Sequence, residues 1–240
     1  MIIEAKNKYY TRLNREIKQT RDKNITVKGV LGQRYIGTGV KDKELTIFGT
    51  PGNAMGAYLS GTNISVYGNV QDAVGDTMDN GDIVVYGKAG DTLGYGMRGG
   101  SIYVRDDGGY RVGIHMKAYQ DKQPVIVIGG RAGSFLGEYQ AGGTIVVLGK
   151  GANGEFPAGN YCGTGMHGGA MYVRCDKKPL NLPVQVSVKK CTEKDRRTFE
   201  KYVERYCQYF DMDYDEMISG TFYKLTPNAN NPYNSLYTPY

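Results

Sequence analysis

Two strings in this chain have the outline of a phosphate-binding loop. Gly94-Tyr-Gly96-Met-Arg-Gly99 and Gly163-Thr-Gly165-Met-His-Gly168 both fit G-x-G-x-x-G. In a dinucleotide-binding unit that spacing lets backbone close on a pyrophosphate, between a strand and a helix, with an acidic residue about 20 positions on. Here a new strand-like run follows each string instead of a helix. A turn therefore explains these glycines better than a phosphate cradle. His115 and His167 are the two histidines, and Cys162 stands five residues before His167. No ligand spacing of a zinc site accompanies them, and neither histidine has a visible Ser or Cys partner for nucleophilic catalysis. Glycoside chemistry would need clustered carboxylates, and the acids are scattered over turns. Asn53, Asp72 and Asp91 recur as a column; Asx side chains satisfy turn backbone, so a structural ladder is expected there. Calcium-binding rolls use nonapeptide repeats, which this interval does not match. No catalytic, cofactor-binding or metal-binding residue is assigned.

The elements that position these residues repeat. Gly56, Gly75, Gly94 and Gly113 are spaced by 19, as are Leu59, Met78, Met97 and Met116, and Gly49, Gly68 and Gly87. A fixed period near 20 residues marks a solenoid, in which each unit buries its apolar face only against its neighbours. Alternating triplets align into two apolar columns. One is Leu45, Ile64, Ile83, Ile102, Val125, Ile145 and Met171; the other is Ile47, Val66, Val85, Val104, Val127, Val147 and Val173. Period-two alternation of branched residues reads as strands with those columns inward. The expected fold is all-β: a right-handed parallel β-helix of about seven 19-residue coils, with short N-terminal and C-terminal α-helices. Gly37, Gly56, Gly75, Gly94, Gly113, Gly137 and Gly163 count the units, and the last six are the expected structural coil glycines. Two units are longer, at 117–124 and 150–161, and such insertions emerge as loops suited to partner contact.

The domain plan is an N-terminal helical segment (1–24), a β-helix (25–174), and a C-terminal helix with a tyrosine-rich tail (175–240). Residues 8–21 read as a short helix carrying Leu13 and Ile17 on one face. Thr192 and Asp195 resemble a capping box ahead of a helix over 193–210. Its apolar face is Phe199, Val203, Tyr206 and Phe210, expected to dock on the rod and shield its last coil. The N-terminal helix is expected to do the same at the other end. The stretch Thr226–Tyr240 is Pro, Asn and Tyr rich and is expected to lie along a surface.

Composition narrows the function. The net charge is +6, and residues 1–44 alone carry 11 basic and 5 acidic residues. The repeat body is near neutral, whereas nucleic-acid binding would need a basic stripe along it. The four cysteines lack a C-x-x-C pair, and no run of about 18 apolar residues exists. A cytoplasmic protein with reduced thiols is expected.

GQRYIGTGV (32–40), YGNVQDAVGDTMDNGDIVVYGKAG (67–90), LGYGMRGGSIYVR (93–105) and NYCGTGMHGGAMYVR (160–174) together resemble the GXGXG β-helix domain of the glutamate synthase large subunit. The resemblance covers nearly the whole chain and is closest to a stand-alone form of that domain. It implies a non-catalytic scaffold subunit that couples an amidotransferase (glutaminase) subunit to an FMN/iron–sulfur synthase subunit. Those partners would make glutamate from glutamine and 2-oxoglutarate, and they would hold the FMN and the clusters. An N-terminal cysteine nucleophile is absent from residues 1–10. The same repeat occurs in the C subunit of formylmethanofuran dehydrogenase, which stands as the alternative. A self-sufficient polysaccharide-acting β-helix enzyme and an end-to-end homo-oligomer are the readings from other classes.

Overall fold

The computed structural model describes residues 1–228. The expectation for the tyrosine-rich tail beyond that point lies outside the described residues. One mixed sheet of eleven strands organises the chain. Its strands are β1 (Ile2–Glu4), β2 (Asn24–Leu31), β3 (Glu44–Thr50), β4 (Asn63–Tyr67), β5 (Asp82–Val85), β6 (Ser101–Val104), β7 (Val125–Ile128), β8 (Ala141–Val147), β9 (Gly168–Arg174), β10 (Val186–Lys190) and β11 (Phe222–Pro227). Pairing follows chain order and is parallel from β1 to β9. Beyond β9 the order is β11 and then β10, both antiparallel to their neighbours. An unclosed sheet whose consecutive strands are parallel is consistent with a solenoid.

The inner face of the sheet is the core. Ile64, Ile83 and Ile102 stack in one column and Val66, Val85 and Val104 in the next, all fully buried. The inward residues of β7 are Ile126 and Ile128, which pair with Ile102 and Val104. This corrects the expected placement of Val125 and Val127 by one residue. Val125-Ile-Val-Ile128 is apolar throughout, so alternation gives no phase. It is apolar throughout because both of its faces are covered.

The second cover is α2 (Glu193–Phe210), which lies across the outer face of the sheet. Phe199, Val203, Tyr206 and Phe210 pack with Val84, Tyr103, Val127, Val146 and Tyr172 in a second core. The expected helix is therefore present with its capping box, in which Asp195 N–H donates to Thr192 Oγ1 and Thr192 N–H to Asp195 Oδ2. Its docking position is the correction. α2 covers the outer face of the sheet, Tyr172 of the last unit included, but the open edge of that unit is shielded by β11, which hydrogen-bonds along β9. A strand edge presents a row of N–H and C=O groups that another strand can pair and a helix cannot. β10 then forms the outermost edge, ending in the exposed Lys189 and Lys190, and charge on an edge discourages further pairing.

At the opposite end, α1 (Tyr10–Gln19) lays Leu13 and Ile17 against the inner core, both fully buried. β1 extends the sheet there, pairing Ile3 with Val27, an element the helical reading of residues 1–24 does not include. The small α3 (Tyr214–Ile218) follows α2 and buries Met217 beside it.

Candidate functional site

Between strands, each repeat unit makes a turn that crosses the left-handed region three times. The middle positions are Gly37, Gly56, Gly75, Gly94, Gly113, Gly137 and Gly163, all at positive φ. Two residues before each stands a non-glycine residue with φ between 56° and 63°: Tyr35, Ala54, Ala73, Thr92, Arg111, Phe135 and Tyr161. Two residues after stand Gly39, Tyr58, Thr77, Gly96, His115, Tyr139 and Gly165, again all positive. Sequence reading found the middle column alone, because φ > 0 at bulky residues leaves no compositional signature.

The amides of the three left-handed residues in a turn face different neighbours. Ala54 N–H donates forward to Asp72 O (2.9 Å), Gly56 N–H backward to Ile36 O (2.9 Å), and Tyr58 N–H forward to Asp76 O (2.8 Å). The pattern repeats at Ala73, Gly75 and Thr77, and at Thr92, Gly94 and Gly96. These bonds occupy the amides that a phosphate would need.

The middle position has a second constraint. A Cβ on Gly75, Gly94 or Gly113 would sit 2.5 Å from Ile102, Ile126 or Ile145 of the following unit. The flanking left-handed positions need no glycine because many of their side chains lie at the surface. Between the first and middle columns runs a buried apolar one: Ile36, Met55, Val74, Leu93, Val112, Leu136 and Cys162. Cys162 is thus a core residue at an aliphatic position, and burial pushes its thiol up to about 12. Cys175, Cys191 and Cys207 are likewise pushed up to about 11 by burial. All four thiols are protonated at neutral pH and poor nucleophiles.

The G-x-G-x-x-G strings are two of these turns, each leading into a strand, β6 or β9. Gly99 presses against Asp79 O and Gly168 against Ala141 O, so no helix N-terminus opens there. His115 stacks on Tyr139 with ring centroids 5.1 Å apart and an 8° interplanar angle, and Tyr95 meets it edge-on at 5.8 Å. Desolvation lowers its pKa against the opposing charge of Glu138, with His167 and Arg98 acting in the same direction as desolvation. His167 Nδ1 lies 3.0 Å from Gly165 O. Among the described residues no group of three or more His, Cys, Asp or Glu is placed to hold a metal ion.

The Asx column is a ladder at Asp72 and Asp91, while the Asn53 side chain makes no such bond among the described residues. Asp72 Oδ1 accepts from Asp91 N–H (2.9 Å) and Asp91 Oδ1 from Tyr110 N–H (2.8 Å). Of the longer units, 117–124 closes on itself through reciprocal Tyr119 and Lys122 backbone bonds, and Lys122 pairs with Asp79 at 3.1 Å. In 150–161, Ala152 is buried and Phe156 packs on the inner core. Beside the first loop lies a cleft of about 750 Å³ lined by Arg98, Lys117, Ala118, Tyr119 and Gln120.

Fold and turns together define a repeat protein whose glycine motifs are backbone ladders. The chain belongs to the GXGXG motif family, the family of the third domain of glutamate synthase, whose model matches residues 2–230. It is similar to an uncharacterized protein of Methanocaldococcus jannaschii, 44% identical over 252 residues, which cover 100% of this chain and 97% of that one. No helix among the described residues is long and apolar enough to cross a membrane.

Proposed function

We propose that this chain is a right-handed parallel β-helix of about seven coils that serves as a non-catalytic scaffold subunit of a cytoplasmic glutamate synthase. It packs against an amidotransferase subunit and an FMN/iron–sulfur subunit and holds them in register while they make glutamate from glutamine and 2-oxoglutarate. The chain itself binds no cofactor; FMN and the clusters belong to the partners. The turn geometry is the observation that carries this reading. Amides that could cradle a phosphate are occupied by bonds between repeat units, and the buried thiols are held protonated, so the repeat supports a surface more readily than a reaction. Membership of the GXGXG motif family supports the choice of assembly. Reconstitution tests it: the three subunits, purified separately and mixed, should co-elute and show glutamine-dependent glutamate formation that falls at least tenfold without this chain. Full activity in its absence, with no co-elution, would sink the proposal.

A further inference from the structure

Where α1 meets the first glycine turn, a groove of about 460 Å³ opens at the surface, lined by Tyr10, Thr11, Asn14, Arg15, Lys18, Gln19, Tyr35 and Thr38. Aromatic rings form one part of it. Tyr10 lies 5.7 Å from Tyr35 and 4.6 Å from Tyr9, and the Arg34 guanidinium sits 5.3 Å from the Tyr10 centroid. Tyr35 and Tyr9 are 43% and 67% exposed. Cations form another part. Glu16, the one acid of α1, points its carboxylate to Lys8 (2.5 Å) and Arg12 (3.5 Å). Arg15 and Lys18 have no ion-pair partner among the described residues, and no acid lines the groove.

The fold does not require this arrangement. Tyr35 holds a left-handed conformation, φ 61°, that equivalent turns fill with residues as different as Ala54, Thr92, Arg111 and Phe135, so the turn itself does not call for a ring. Glycine would meet that conformation with less strain. The large ring is kept at a strained, exposed position beside unpaired cations. Tyrosine and arginine are the side chains that recur at the energetic centres of interfaces. The charge is local as well: residues 1–44 hold an excess of 6 positive charges, equal to that of the whole chain.

We infer that this groove docks an acidic segment of a partner protein, its carboxylates on Arg15 and Lys18 and an apolar or aromatic side chain against Tyr10 and Tyr35. This names a contact surface for the assembly proposed above and rests on that reading for the partner's identity, but not for its chemistry. Nucleic acid, the other polyanion, would need a basic track continuing along the repeat, and residues 45–174 hold 9 basic against 10 acidic residues.

Fluorescence anisotropy with a labelled glutamate–tyrosine copolymer, and with labelled poly(U) as the competing class, tests the chemistry. The wild-type chain should bind the copolymer at low ionic strength and release it as salt rises. Arg15→Glu with Lys18→Glu should weaken binding about tenfold or more, since reversing charges that steer docking acts on rate and affinity together. Tyr35→Gly should weaken it severalfold without unfolding, because glycine suits its φ. Lys189→Glu with Lys190→Glu, at the far edge of the sheet, should leave binding unchanged. No copolymer binding, equal loss in the far-edge variant, or tighter binding of poly(U) overturns the inference. A second arm repeats the Arg15 and Lys18 reversal in the three-subunit reconstitution. If the partners bind wild type and variant equally, the groove is overturned and the scaffold stands. If they bind neither while the copolymer pattern holds, the scaffold falls and the groove stands.

Discussion

Gly94 and Tyr58 have nearly the same backbone conformation, at φ 67° and 55°, and opposite tolerance to change. A Cβ on Gly94 would lie 2.5 Å from Ile126 Cδ1 in a fully buried core. Left-handed strain of about 1–2 kcal/mol then adds to overpacking of about 1–3 kcal/mol. Gly94→Ala should therefore destabilise by about 2–5 kcal/mol in chemical denaturation. At Tyr58 the ring is exposed, and glycine relieves about 1–2 kcal/mol of strain while raising backbone entropy by about 0.5–1 kcal/mol. Tyr58→Gly should shift stability by less than about 1 kcal/mol. A large loss there would show that its ring has partners within the fold. The glycines were legible in the sequence because they are invariant along the period; their left-handed neighbours were not, since Tyr, Ala, Thr, Arg and Phe occupy one column. Cys162 shows the converse: beside His167 it suggests a ligand pair, and only its alignment under Leu136 and Val112 returns it to the core.

At the scale of elements, α2 is held to the sheet by a few directional contacts over a wide apolar one. Tyr206 OH donates to Arg105 O at 2.8 Å. Asp82 accepts from Arg205 and Tyr209, joining the helix to β5. The backbone of Gly129 is what lets Tyr206 reach in: a Cβ there would fall 2.0 Å from the Tyr206 hydroxyl and 2.1 Å from Arg105 O. Gly129→Ala should loosen α2, seen as faster amide exchange in residues 193–210 with little change in β2–β4. Protection lost evenly across the sheet would show instead that the two cores unfold as one. The helix, its cap and its apolar face could all be read from sequence, because they are local. Its destination could not, because outward residues of the sheet change from Thr46 and Ser65 to Val84, Tyr103 and Val127 only gradually. Phe48 and Tyr67, stacked at 5.0 Å and continuing through Tyr86 to Phe210, mark where its coverage ends.

For the whole molecule, the two ends of the sheet are finished differently. α1 and β1 close one end, while β11 turns antiparallel onto β9 and hands the free edge to β10. Val186 of β10 also reaches Gly163, standing where the next unit's isoleucine would be. A chain ending before β11 would leave the unpaired backbone of β9 exposed, a template for pairing between molecules. Light scattering should then report assemblies larger than those of the full chain; unchanged size would mean the β9 edge is protected by other means. Periodicity made the body of the fold readable, whereas both ends escaped it, because a terminus is where the repeat must be broken to stop.

The reversal of amide direction along each glycine turn has an electrical side. An α-helix aligns its peptide dipoles and accumulates partial charge at its ends, and an anion-binding nest gathers several N–H groups about one point. Here the first and third left-handed amides of a turn point to the following unit and the middle one to the preceding unit, so the middle dipole offsets one of the other two and the three never converge on one point. A turn built this way carries less aligned dipole per unit than three parallel amides would, and the formal charge along the stack comes from side chains such as Asp72 and Asp91 of the ladder.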